Sequence, residues 1–301
     1  MSKSITGIFG SIPVIGQPMS KMYLRIRNAV LYDRLREKYS LINPADMPIY
    51  VPNSAGSHPL ISKLTLQGVN QTIPLLELFS QELIGAKESK IYSIDEFYEE
   101  VGNNQNDELC RELEDKFNEY GSDKSTKHNY HLIYATLLKD KDKVKGILEV
   151  GMGTNNTNVA SNMGANGKPG ASLRAFRDFL PHATVYGADF DRGILFEEER
   201  IKTFFVDQTR LETFELLEKS IEGKLDLIID DGLHSPNANL ATLIFAMRKM
   251  NDNKGGAIVI EDIPPRAIPL WKMVSNIMPS KSYQSYIVKT KHSYMFVCIR
   301  K

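Results

Sequence analysis

The stretch Ile147-Leu-Glu-Val-Gly-Met-Gly153 decides the fold. A short apolar run reads as a strand buried on both faces, and a Gly-x-Gly turn follows it. Glycine takes positive φ freely and lets the backbone approach a ligand closely. Apolar runs alternate with helical segments from here on. The candidate strands are Gly146–Val150, Ala183–Asp189, Lys202–Asp207, Leu225–Asp230 and Ala257–Asp262. Strands alternating with helices imply an α/β domain with a doubly wound parallel sheet. The end of the chain differs. Tyr283–Thr290 and Ser293–Ile299 are joined through Lys291 and His292, a link too short for a parallel crossover, so they form an antiparallel hairpin.

Upstream the pattern is less regular. Pro44, Pro48, Pro52 and Pro59 punctuate a loop-rich region. Ser93-Ile-Asp-Glu96 has capping-box spacing and starts a short helix. Gly102–Asn106 reads as a linker, which places a domain boundary at 105/106. Leu109, Leu113, Phe117 and Tyr120 then define the apolar face of a helix closed by Gly121. The chain is expected to hold a smaller auxiliary domain over 1–105 and the main domain over 106–301.

The 301 residues are 42% hydrophobic and 25% charged, which is ordinary globular composition. Lys and Arg total 37, as do Asp and Glu. That balance argues against nucleic acid as a partner, since such binding shows as a basic excess. No apolar run approaches the roughly 18 residues of a membrane helix, so no membrane partner is expected. Ile5–Gly16 is broken by Gly10 and Pro13 and does not read as a signal peptide. Cys110 and Cys298 are too few for a disulfide framework, which makes a reducing, cytoplasmic setting the expectation.

Glu149 precedes Gly151 by two residues, and Asn156 stands where a dinucleotide fingerprint has its third glycine. A carboxylate there suits a cationic ligand better than a pyrophosphate. This moves the reading from a nicotinamide cofactor to S-adenosylmethionine. Gly151 and Gly153 would cradle it. Asp189, at the next strand end, is placed to accept the ribose hydroxyls, with Asp191 as the alternative. Asp207 and Gln208 would lie near the adenine. The long link from Thr154 to Leu173 is expected to fold over the cofactor.

Asp231 and the pair Glu261-Asp262 follow later strands, so all three reach the carboxyl edge of a parallel sheet, where ligands bind. Three hard oxygen donors favour Mg²⁺ over Zn²⁺. Asp230 points the opposite way from Asp231 in an extended chain and takes a structural or cofactor-side role. His234, three residues beyond Asp231, is the candidate general base. Arg266 and Trp271 are candidates to line an acceptor pocket, or else surface and core residues.

Six motifs in order then resemble one family. They are Tyr120-Gly-Ser-Asp-Lys124 with His128-x-Tyr130 and Tyr134, Glu149-Val-Gly-x-Gly-Thr-Asn-Asn156, Ser161-Asn-Met-Gly164, Pro169-Gly-Ala-Ser-Leu-Arg174, Asp230-Asp-Gly-x-His234 and Glu261-Asp262. The set is similar to the macrocin and mycinamicin type sugar O-methyltransferases. The resemblance implies a Rossmann-like class I methyltransferase sheet, S-adenosylmethionine and Mg²⁺ as cofactors, and a sugar-containing small molecule as acceptor. It implies Asp231, Glu261 and Asp262 as metal ligands and His234 as base. Cofactor contacts would fall on Glu149, Gly151, Asp189 and Asp207, with Ser122 and Lys124 nearby and Ser172 inside a shared motif. It also implies that the N-terminal domain supports a homo-oligomer. Leu233 departs from the pattern, standing where a small or polar residue is expected. The rival readings are an NAD-dependent oxidoreductase and a catechol-type O-methyltransferase.

Overall fold

The computed structural model describes residues 71–80, 89–101, 107–159, 161–252 and 255–301. Two compact units divide the chain at 75/76. The described part of the first is 71–75, which is helical. The proline-rich region, Ile5–Gly16 and the linker Gly102–Asn106 lie outside the described residues.

The second unit is built on a nine-stranded sheet. Its strands are β1 (Ile91–Tyr92), β2 (Gly146–Val150), β3 (Thr184–Asp189), β4 (Glu197–Glu198), β5 (Ile201–Phe205), β6 (Leu227–Asp230), β7 (Ala257–Ile263), β8 (Tyr283–Lys289) and β9 (Tyr294–Arg300). Their order is β1-β8-β9-β7-β6-β2-β3-β5-β4. The run β5-β3-β2-β6-β7 is parallel throughout. β9 is antiparallel to both β7 and β8, the hairpin that the short link at Lys291 demands. All seven strand runs read from the sequence are present, with ends shifted by at most two residues.

The helices are α1 (Ile94–Glu100), α2 (Asp107–Tyr120), α3 (Asp123–Thr126), α4 (Tyr130–Leu137), α5 (Ala171–Phe179), α6 (Leu211–Ser220), α7 (Pro236–Lys249) and α8 (Ile268–Ile277). Ser93 and Glu96 form the expected capping box on α1. Gly121, at φ +77°, ends α2. Phe176 of α5 packs edge-to-face on Phe117 of α2 and Tyr134 of α4, with ring centroids 5.2 and 5.4 Å away.

The division at 75/76 differs from the boundary expected at 105/106. The reason is packing. β1 adds in parallel to β8, and Phe97 of α1 is fully buried with its ring 5.1 Å from that of Tyr286. The chain leaves β2 for β3 and β5 on one side and returns to β6 and β7 on the other. That reversal opens a crevice at the carboxyl ends of β2 and β6, where ligands of such sheets bind.

Phe176→Ala removes a fully buried ring from this junction and should cost about 3–5 kcal/mol of unfolding free energy. Urea denaturation checks it; a loss under about 1 kcal/mol would show that the junction can repack.

Candidate active site

The turn after β2 requires glycine. Gly151 has φ +92°, and a Cβ there would lie 2.2 Å from the carbonyl oxygen of Asp231. The β2 and β6 exits therefore touch backbone to backbone. Residues 154–159 and 161–170 then fold back on this turn. Met163 seats against Gly153, and the Ser161 hydroxyl donates to the Gly232 carbonyl at 2.7 Å.

Behind the turn lies a buried charge cluster. Lys124 Nζ sits 2.6 Å from Glu261, 2.7 Å from Asp231 and 3.1 Å from Glu149. Lys124, Glu149 and Glu261 are each at most 3% exposed at the side chain. Ser172 donates to Glu149 at 2.5 Å, and the Tyr134 hydroxyl donates to Glu261. Burial alone lowers a lysine, but the charges of Asp231, Glu261 and Glu149 outweigh it and hold Lys124 well above its usual range. Burial and the Asp231 charge push Glu261 well upward, against the pull of Lys124; burial also raises Glu149.

A second group faces the cavity. Asp231, His234 and Asp262 each bring one ligand atom within 4.8 Å of the others. His234 Nε2 lies 3.8 Å from Asp231 and 3.9 Å from Asp262. Asp262 accepts hydrogen bonds from Tyr130 at 2.5 Å and Ser293 at 3.0 Å. Burial acts to raise Asp262, but the Tyr130 hydrogen bond and the nearby His234 and His128 leave it below the usual carboxylate range. His234 and Asp262 both adopt left-handed backbone, at φ +52° and +53°, costly for non-glycine residues. The β7–β9 register also shifts between Ile260 and Ile263. This irregularity lets the adjacent Glu261 and Asp262 serve two groups at one edge, which a regular pleat would not allow.

The cavity is about 270 Å³. Ten of the residues singled out in the sequence line it. Ser122, Lys124, Glu149, Gly151, Gly153 and Ser172 form one side, and Asp231, His234, Glu261 and Asp262 the other. Glu261 departs from its expected place, because Lys124 and Tyr134 hold its carboxylate and His234 takes its position beside Asp231 and Asp262.

Seven other candidates lie off this wall. Asp230 is fully buried, and Gln208 donates to it at 3.0 Å while accepting from the Leu233 amide at 2.8 Å. Both amide atoms of Gln208 are thereby spent on protein partners, so this pair braces the β6 exit. Asp207 caps its own turn through Thr209. Asn156 likewise accepts from the Asn158 amide. Asp189 takes the amides of Met152 and Asp191, each at 2.8 Å, tying the β2 turn to β3. Asp191 accepts from Thr154 at 2.6 Å and anchors the covering loop. Trp271 is 1% exposed against Phe296, a core residue rather than a pocket wall.

Three contributors had no role assigned from sequence: Tyr130 and Tyr134 as donors to Asp262 and Glu261, and His128, whose Nδ1 lies 3.8 Å from Asp262. Their shared motif, His128-x-Tyr130 with Tyr134, was the available signal.

No family model matches the chain. The chain is 36% identical over 94 residues to the mycinamicin VI 2''-O-methyltransferase of Micromonospora griseorubida. That match spans 31% of this chain and 23% of the relative's length. It bears out the resemblance read from the motifs. A solved structure of the MycE methyltransferase from the mycinamycin biosynthetic pathway, in complex with Mg, SAH and mycinamycin VI, aligns at TM-score 0.51 and 19% identity. The alignment covers 63% of this chain and 53% of that one. The chain carries the class I methyltransferase fold. A crystal form of the same enzyme with Mg and SAH aligns at 25% identity over 50% of this chain and 37% of that one, at TM-score 0.43. Within the methyltransferase sheet, the cavity opens at the carboxyl ends of β2, β6 and β7. Among the described residues, no helix is long and apolar enough to cross a membrane.

Tyr130→Phe should remove the strongest support of the charged Asp262. A carboxylate held low in the folded state stabilises above its unfolded pKa, and that contribution is lost as pH falls through the folded one. The variant should thus be about 1.5–3 kcal/mol less stable at pH 7. The gap to wild type should close as pH drops below the usual carboxylate range. Denaturation midpoints across pH check this; a gap that is constant with pH would detach Tyr130 from the ionisation of Asp262.

Proposed function

We propose that this chain is an S-adenosylmethionine-dependent, Mg²⁺-assisted O-methyltransferase acting on a hydroxyl of a sugar or glycosylated small molecule. The observation that carries this reading is the convergence of Asp231, His234 and Asp262 across one cavity from Glu149 and the Gly151–Gly153 turn. The motif order, the 94-residue similarity and the sheet topology all agree with it.

The residues fit both groups. Asp231 and Asp262, with ligand atoms within 4.8 Å of one another, offer hard oxygen donors that a divalent cation satisfies, and His234 beside them is left for proton transfer. Backbone strain at His234 and Asp262 is the kind that functional sites retain. On the other side, Glu149 and the bare backbone of Gly151 and Gly153 offer anionic and close-approach contacts to a sulfonium compound.

When bound, the cation supplies Lewis-acid polarisation of a hydroxyl, and the cofactor supplies the methyl group. Asp231 and Asp262 would hold the cation, with Glu261 available once released from its present partners. His234 Nε2, between the two aspartates, would take the hydroxyl proton. Glu149, fixed by Ser172, and the glycine turn would hold the cofactor. The loop through Ser161 and Met163 shields the turn and limits water entry. Tyr130 holds Asp262 for its task. The relative's name specifies a 2''-hydroxyl; for this chain we propose the acceptor class only.

Titration calorimetry with S-adenosylmethionine and Mg²⁺ should show micromolar binding, about −8 kcal/mol. His234→Ala should keep that affinity while turnover falls by about 10²–10⁴-fold, the usual worth of a general base. Wild-type turnover in His234→Ala would remove His234 from the mechanism. Absence of binding to folded protein would overturn the methyltransferase reading.

A further inference from the structure

Lys124 reaches the site from the four-residue helix α3, started by the Ser122 cap. Its ammonium has three protons and three carboxylate neighbours: Glu261 at 2.6 Å, Asp231 at 2.7 Å and Glu149 at 3.1 Å. Two of these three carboxylates are also oxygen donors to which the proposed function gives a divalent cation. The oxygens that Lys124 touches are Asp231 Oδ2 and Glu261 Oε2. Asp231 Oδ1 is the atom left facing His234. Lys124 thus splits the acids into a half it occupies and a half open to the cavity. Glu261, beside Asp262 in the chain, is on the closed half.

We propose that Lys124 is a tethered cation that competes with the divalent metal for the shared face of Asp231 and Glu261, and that the metal completes its ligand set only when Lys124 withdraws onto Glu149. This rests on the metal-assisted reading above. The physical basis is that an ammonium at 2.6–2.7 Å from both carboxylates and a cation needing oxygens at about 2.0–2.1 Å cannot use the same face at once. Without Lys124, the buried Glu149 and Glu261 and the half-buried Asp231 would lie together with no counter-charge, a costly state. The lysine therefore balances these acids at the expense of metal affinity. Glu149 is the third partner, does not belong to the metal set, and is fixed by Ser172 at 2.5 Å, so it offers Lys124 a place to remain paired.

The test is Mn²⁺ binding to the full chain, read from the electron paramagnetic resonance signal of free Mn²⁺. Lys124→Met should tighten binding, but it also adds one net negative charge to the cluster and leaves Glu149 and Glu261 buried without a counter-charge, which works against folding. The double variant Lys124→Met with Glu149→Gln removes one positive and one negative charge together and leaves Asp231, Glu261 and Asp262 intact. Its net charge at the cluster equals that of wild type, so any gain in affinity comes from freeing the shared oxygens. Competition predicts that the double variant binds Mn²⁺ about tenfold tighter than wild type. Equal or weaker binding by the double variant overturns the proposal and leaves the metal reading standing. If neither wild type nor variant binds Mn²⁺, the metal reading falls, and the proposal falls with it.

Discussion

Three carboxylates from three different strand ends meet at one ammonium group. In a parallel sheet every strand delivers its carboxyl end to the same edge, so acids placed there are forced together. Glu149 lies next to the end of β2, Asp231 follows β6 and Glu261 lies near the end of β7. Left alone they would repel one another and resist burial. Lys124 answers that repulsion from outside the sheet. The segment before β2 is therefore not an accessory to the site. α3 supplies the cation, and α4 supplies the hydroxyls of Tyr130 and Tyr134 that hold Asp262 and Glu261.

The same edge holds two residues in unfavourable backbone conformations. His234 and Asp262 each cost about 1–3 kcal/mol relative to ordinary backbone. Such conformations persist only where the surroundings over-determine them. For Asp262 the restraints are Tyr130, Ser293 and the register shift in β7. For His234 the restraint is the turn before it, pinned by Gln208 on the Leu233 amide and by Asp230 on the Gly232 amide. Gln208 and Asp230, buried and off the cavity wall, thus set the direction of His234, which faces it.

This division explains what could be read from residues alone. The sheet was legible because each core strand is a short apolar run, and the hairpin because its link is too short for any other connection. The alternation of Asp230 and Asp231 was legible for the same reason, since neighbours in a strand face opposite ways. Glu261 and Asp262 broke that rule through a β7 irregularity that no local pattern announces. Their place at a strand end puts Asp207 and Gln208 near the adenine in the sequence reading; the structure pairs Gln208 with Asp230 and caps Asp207 on Thr209. The compact-unit division lies at 75/76 and not at 105/106 because β1, two residues long, gains its meaning only by pairing with β8, nearly 200 positions away. Lys124 was recognised as part of a motif, but its three partners come from strands scattered over more than a hundred residues, beyond any spacing rule.

The charge of the edge also sets which ligands it admits. Glu149, Asp231, Glu261 and Asp262 border the cavity, and against them Lys124 is a buried counter-ion already fully engaged. A cofactor bearing a pyrophosphate would bring further negative charge to this edge and would have to capture Lys124 at the expense of its three partners. A cationic ligand meets the opposite balance, because each added positive charge relieves repulsion that one ammonium only partly offsets. Charge thus separates the two cofactor classes at a fold that both share. The Gly-x-Gly turn opens the backbone to either, and the acids behind it make the choice.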